Sequence, residues 1–97
     1  MPLLKKNKEL KYKRILFYWM ELQRNNIDSN IALEFMSSIF HVAVGTMFQT
    51  VILKYDYEDF KAIPYPHIDL DIKVIEGFID KINKKAREER RQFKLAL

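Results

Sequence analysis

The stretch Phe35-Met36-Ser37-Ser38-Ile39-Phe40-His41-Val42-Ala43-Val44-Gly45-Thr46-Met47-Phe48-Gln49-Thr50-Val51 decides how this chain reads. Apolar residues recur at helical spacing on both sides of a short break at His41-Val42-Ala43, which predicts two short helices joined by a tight turn. Ser37, a small residue, sits where the first helix must admit the second. His41 opens the turn, Val42 plugs the gap between the helices, Ala43 takes the cap position and Gly45-Thr46-Met47 start the second helix. Met47 and Val51, four residues apart, share a buried face.

Working outward, the first helix is predicted from about Lys8 to Arg24. Tyr12, Leu16 and Met20 form one stripe and Ile15, Trp19 and Leu22 another, the wide apolar face of a central helix packed on several partners. Asn25-Asn26 ends it, because asparagine tolerates the left-handed conformation of a helix stop. Asp28, with Ser29 beside it, is an N-cap candidate. The second helix follows over Ser29–Phe40, burying Ile31, Ala32, Phe35, Met36 and Ile39. The third is expected over Val44–Lys54; its β-branched run Thr50-Val51-Ile52 lowers helix propensity, so a strand or hairpin leading into Lys54-Tyr55-Asp56-Tyr57-Glu58 competes there.

Pro64 and Pro66 exclude regular helix from the connection 55–67, which is acidic (Asp56, Glu58, Asp59) and aromatic (Tyr55, Tyr57, Phe60, Tyr65), so it should wrap over the helices. Beyond it Ile68, Ile72, Ile75, Ile79, Ile82, Ala86, Glu89 and Phe93 alternate by four and three, the seam of a long C-terminal helix. Leu70, Val74 and Phe78 widen the face, as docking of its first half, Ile68 to Ile82, requires. The basic second half, Lys84 to Lys94, is expected to project, with Phe93 and Leu97 left for a partner. The reading is all-α: one domain over 1–97, with a three-helix core at 8–54, the connection at 55–67 and the long helix at 68–97.

Composition bounds the function. A 97-residue chain with 48% apolar and 13% aromatic residues can build one real core. The absence of cysteine excludes disulfides and thiolate metal sites. The longest apolar run, Ile15 to Met20, is far short of a membrane span, so a cytoplasmic protein without membrane association is expected. The net +4 is uneven: residues 1–14 carry six basic side chains and one acid, residues 15–70 three and seven, residues 71–97 eight and five. Basic ends suit phosphate contacts, and equally serve solubility.

The 17-residue stretch resembles the helix-turn-helix pattern Leu-Ala-x-x-x-Gly-Val-Ser-x-x-Thr-Val-x-x-x-Ile at most apolar positions, differing at Ser37 for alanine, His41 for glycine and Ala43 for serine. That resemblance implies a second helix laid in the DNA major groove. Thr46, Gln49 and Thr50 are then the candidate base-edge or phosphate contacts, and Lys8, Lys11, Lys13 and Arg14, with Lys5 and Lys6, the phosphate contacts. The groove-facing positions on this pattern are Val44, Gly45, Phe48, Gln49 and Ile52 or Leu53, and no lysine or arginine lies between Arg24 and Lys54. Val44, Phe48 and Ile52 therefore form an apolar ridge suited to a protein interface, and Ile75, Ile79 and Ile82 a seam suited to a second copy. Two-half-site readers of this class need two copies, so a homodimer is expected.

Enzymatic chemistry finds no motif. His41 and His67 stand 26 residues apart without an accompanying ligand pattern, the acidic run Asp56, Glu58, Asp59 has no nucleophile beside it, and no glycine-rich loop cradles a phosphate. No catalytic residue, metal, cofactor or small-molecule substrate is expected. Residues 8–53 also resemble small bacterial helix-turn-helix proteins encoded near mobile elements, transposase-like or sigma-factor-like. The resemblance lies in Lys11-Tyr12-Lys13-Arg14, Phe17-Tyr18-Trp19-Met20-Glu21-Leu22-Gln23-Arg24, Ile27-Asp28 and the two short helices. It implies an intracellular DNA-associated protein and supplies no catalytic residues.

Overall fold

Four helices surround one another with α1 at the centre: α1 (Pro2–Arg24), α2 (Ser29–Phe40), α3 (Val44–Met47, running on as a wider π turn through Phe48–Ile52) and α4 (Ile68–Ala96). A single 3-10 turn, Tyr57–Phe60, punctuates the connection before α4. The computed structural model describes the backbone of residues 2–96 and the side chains of residues 7–89. The side chains of Lys5, Lys6, Phe93 and Lys94, and all of Leu97, lie outside the described residues. Every regular element among the described residues is helical, and none forms the strand that competed for residues 50–58. No single helix is long and apolar enough to cross a membrane.

The caps follow from the local sequence. Asn26, at φ 59°, takes the left-handed position after α1. Its N–H bonds the Gln23 carbonyl at 3.0 Å and the Ile27 N–H bonds that of Leu22 at 3.0 Å, a Schellman closure that satisfies two orphan carbonyls. Asp28 then caps α2, its carboxylate accepting from the Asn30 and Ile31 N–H groups at 3.1 and 3.2 Å.

Burial runs all round α1. Ile15, Leu16, Phe17 and Tyr18 are buried in succession, with Leu22 one turn on. A helix covered on every side needs a continuous apolar run instead of a stripe. From α2, Ala32, Leu33, Met36 and Phe40 complete the core. Phe35 and Ile39 are half-buried, and Ile31, expected inside, is 41% exposed. Leu33 is buried in its place. Trp19, expected in the core, is also only partly covered and meets Phe48 edge-on at 6.2 Å.

The third helix departs from the expected Val44–Lys54. Ordinary α geometry stops at Met47, and from Phe48 the turn widens until the Leu53 N–H bonds the Phe48 carbonyl at 3.0 Å. The β-branched run Thr50-Val51-Ile52 crowds the preceding turn, and a wider turn relieves it.

α4 docks by its first half. Ile75 is buried, while Ile68, Ile72, Phe78, Ile79 and Ile82 are partly covered against the core. Phe78 stacks on Phe35 with ring centroids 3.9 Å apart and planes 6° from parallel, joining α4 to α2. Leu70 and Val74, expected to widen the docked face, are exposed instead at 60% and 41%. Between them in the sequence, Asp71 is buried.

Asp71 is the tie that sequence patterning does not foresee. Its carboxylate, 5% exposed, accepts from Arg14 Nε at 2.9 Å, Arg14 Nη2 at 3.0 Å, Tyr18 Oη at 2.5 Å and Tyr65 Oη at 2.5 Å. One residue of α4 thus clasps α1 twice and the connection once. Burial alone raises a carboxyl pKa, but the hydrogen bonds from Arg14, Tyr18 and Tyr65 outweigh it and hold Asp71 below its ordinary value. The two phenols are pushed up, by burial first and then by their bonds to the Asp71 anion. Lys13, also buried, donates from Nζ to the Ile63 carbonyl at 2.6 Å and lies 5.3 Å from the Tyr57 ring centre. The connection is held down by Lys13 at the Ile63 carbonyl and by Tyr65 at Asp71, while Tyr57 and Tyr65 pack on Phe17, as its aromatic composition suggested.

Candidate nucleic-acid interface

The turn between α2 and α3 is built from three local interactions. His41 takes the left-handed conformation, φ 56° and ψ 40°, and its N–H closes onto the Ser37 carbonyl at 2.9 Å. Ser37 Oγ donates to the Val42 carbonyl at 2.7 Å, bracing the turn from within. α2 and the Val44–Ile52 segment then diverge by 98°. The helix-turn-helix pattern has glycine where His41 stands, and glycine adopts positive φ without the Cβ penalty. His41→Gly should therefore raise stability by about 0.5–1 kcal/mol, read as a higher thermal midpoint. An unchanged or lower midpoint would mean that the imidazole makes a compensating contact.

With the turn set, the faces of α3 sort differently from the sequence expectation. Val44, Phe48 and Ile52, expected as a free apolar ridge, are half-buried and packed on the protein's own core. Ile52 shares a groove with Leu16, Trp19 and Met20. The side facing solvent carries Gly45, Thr46, Gln49, Thr50 and Leu53. This rotation follows from α1: its aromatic run offers the apolar surface, and α3 lays its ridge on it.

The solvent face is thus more polar than the sequence reading placed it. Among the described residues the Gln49 amide makes no internal hydrogen bond, so its donor and acceptor both point to solvent. Thr50 Oγ1 donates to the Thr46 carbonyl at 2.5 Å and keeps only acceptor capacity for a ligand.

A groove of about 560 Å³ adjoins this face, lined by Lys8, Glu9, Tyr12, Thr50, Lys54, Tyr55 and Phe60. Tyr12, Tyr55 and Phe60 form its aromatic wall, with ring centroids 5.3 to 6.3 Å apart. Lys8 Nζ sits 5.6 Å from the Tyr12 ring centre. The fold thus brings Lys8 of α1 to Thr50 of α3, two of the residues singled out by sequence, and adds Lys54. Lys11 is exposed on the same helix as Lys8.

The remaining sequence candidates lie elsewhere. Lys13 and Arg14, expected on phosphates, point inward to Ile63 and Asp71, because a buried carboxylate and a buried carbonyl both need donors. Ile75 is buried inside the chain and is not offered to a partner, while Ile79 and Ile82 are half-covered. Lys54, Tyr12, Tyr55 and Phe60 were not foreseen as site residues. Roughly forty residues separate the two sides of the groove in sequence, and only the packing of α3 on α1 joins them.

The Asp71 clasp borders a cavity of about 290 Å³ lined by Leu10, Arg14, Tyr65, Pro66, His67, Leu70 and Asp71. A carboxylate already accepting four hydrogen bonds and held ionised is a weak base, so the clasp is structural chemistry. Among the described residues no group of three or more histidine, aspartate or glutamate side chains could hold a metal ion, and no buried polar side-chain atom lacks a partner. No protein-family model, no curated protein and no solved structure matches this chain.

Proposed function

We propose that this is a non-enzymatic, cytoplasmic DNA-binding protein of helix-turn-helix type, with α3 as the helix presented to the major groove. The observation that carries the reading is the solvent face of α3, where Thr46, Gln49 and Thr50 stand clear beside a groove edged by Lys8 and Lys54. The 98° divergence of α2 and α3 lies within the range of such motifs. Gln49 is the side chain that can pair bidentately with an adenine edge. Lys8, Lys11 and Lys54 supply phosphate contacts, which position the protein without reading sequence.

A gel-shift series on random and selected duplexes tests this. Gln49→Ala should change which sequences are preferred. Lys8→Ala, Lys11→Ala and Lys54→Ala should each weaken binding to every duplex and lower the slope of log affinity against log salt by about one. Lys13→Ala and Arg14→Ala should act through stability instead. Absence of binding to any duplex at low ionic strength would sink the proposal, since the phosphate contribution is strongest there.

A further inference from the structure

α4 outruns its own core. Every side chain from Asn83 to Glu89 is exposed, about two turns of helix past Ile82, the last packed residue among the described ones. A helical end without tertiary contacts is marginal in water. Beside the docked half, between α4 and the end of α1, lies a groove of about 380 Å³. Ile72 and Ile79 line it above the buried Ile75, and Glu21, Glu76 and Asp80 form its charged rim, with no basic residue lining it. Glu21 is paired with Arg24 at 3.2 Å, while among the described residues Glu76 and Asp80 have no ion-pair partner. The exposed helix end carries three basic side chains, Lys84, Lys85 and Arg87, ahead of two acidic ones, Glu88 and Glu89, likewise without ion pairs among the described residues.

The charges are complementary; within one chain only Asp80 and Lys84, one turn apart, come near each other, and no ion pair forms between them. Groove and basic end lie on one continuous helix, and each residue past Asn83 carries the end further from the groove. We infer that α4 is a self-complementary contact: the basic end of one copy seats antiparallel in the acidic-rimmed isoleucine groove of a second copy, and the reverse contact closes a two-fold dimer. Such a contact is isologous, each copy giving one end and one groove. With the two-fold axis midway between Lys81 and Ile82, Glu76 comes level with the second copy's Arg87, and Asp80 lies beside its Lys84. Ile82 then passes from half-covered to buried. This inference stands independently of the DNA-binding proposal.

Sedimentation velocity of the full chain through the micromolar range tests it. The parent should show a concentration-dependent dimer that weakens as salt rises, because its rim charges are exposed. Glu76→Lys with Asp80→Lys should give a monomer, and so should Lys84→Glu with Lys85→Glu. All four positions are exposed, so at concentrations low enough for the parent to be monomeric the thermal midpoint should match it in both. A mixture of the two double variants should dimerise although neither does alone, because each then meets a groove of opposite charge. Should either reversal disturb the helix content, the neutral pair Glu76→Gln and Asp80→Asn provides the milder weakening. A parent that stays monomeric throughout, a dimer indifferent to both reversals, or a mixture that stays monomeric would each overturn the inference.

Discussion

Asp71→Ala is expected to lower the stability of this fold by about 2–5 kcal/mol, roughly 1–3 kcal/mol for each phenol left without an acceptor, with a smaller share from the Arg14 pair, whose arginine side chain is 35% exposed. The cause is what the substitution leaves behind. Tyr18, with no exposed surface, loses the acceptor for its hydroxyl, Tyr65 loses its own, and the Arg14 guanidinium keeps a charge with nothing opposite it. Urea denaturation followed by circular dichroism measures the loss. Adding Arg14→Ala should cost less than the two single changes summed, with a coupling of roughly 0.5–3 kcal/mol. Strict additivity would mean that the two side chains do not act as a pair.

The same residue sets an acid limit. Its carboxyl is held below the ordinary 3.8 in the fold. A depressed folded pKa contributes stability that is complete above the unfolded value and is lost as pH falls through the folded one. The parent should therefore lose this contribution only below pH 3.8, and Asp71→Ala should lack that component of the acid transition. A variant with the parent's full acid dependence would place the titrating group elsewhere.

Phe35→Ala should cost about 3 kcal/mol, the low end of phenylalanine truncations because the ring is only half-buried. Phe35 stacks on Phe78 and also approaches the Tyr18 ring at 6.3 Å, so one side chain links α2, α4 and α1. Phe78→Ala should weaken the same joint. The pair should couple by about 0.5–1.5 kcal/mol beyond their separate burial. If the thermal midpoint of Phe35→Ala stays within a few degrees of the parent, the stack is not what holds α4 to α2. The stakes are high because a domain this size has only about 5–15 kcal/mol in total.

The sequence by itself determined the helical class, the boundaries of α2, the stop at Asn25-Asn26, the cap at Asp28 and the long final helix. Each is written within a few neighbouring residues: a side chain that bonds the next turn's N–H, an asparagine that accepts positive φ, or an apolar repeat at helical spacing. The tertiary structure decided everything that depends on which face meets which. It turned Lys13 and Arg14 inward, because Ile63 and Asp71 need donors from far along the chain. It laid Val44, Phe48 and Ile52 on α1, exposed Ile31, Leu70 and Val74, and left Thr46, Gln49 and Thr50 to solvent. It also brought Lys8, Thr50 and Lys54 to one groove. Spacing along a helix tells which residues share a face, but the partner that covers the face is chosen by contacts between segments far apart in the chain.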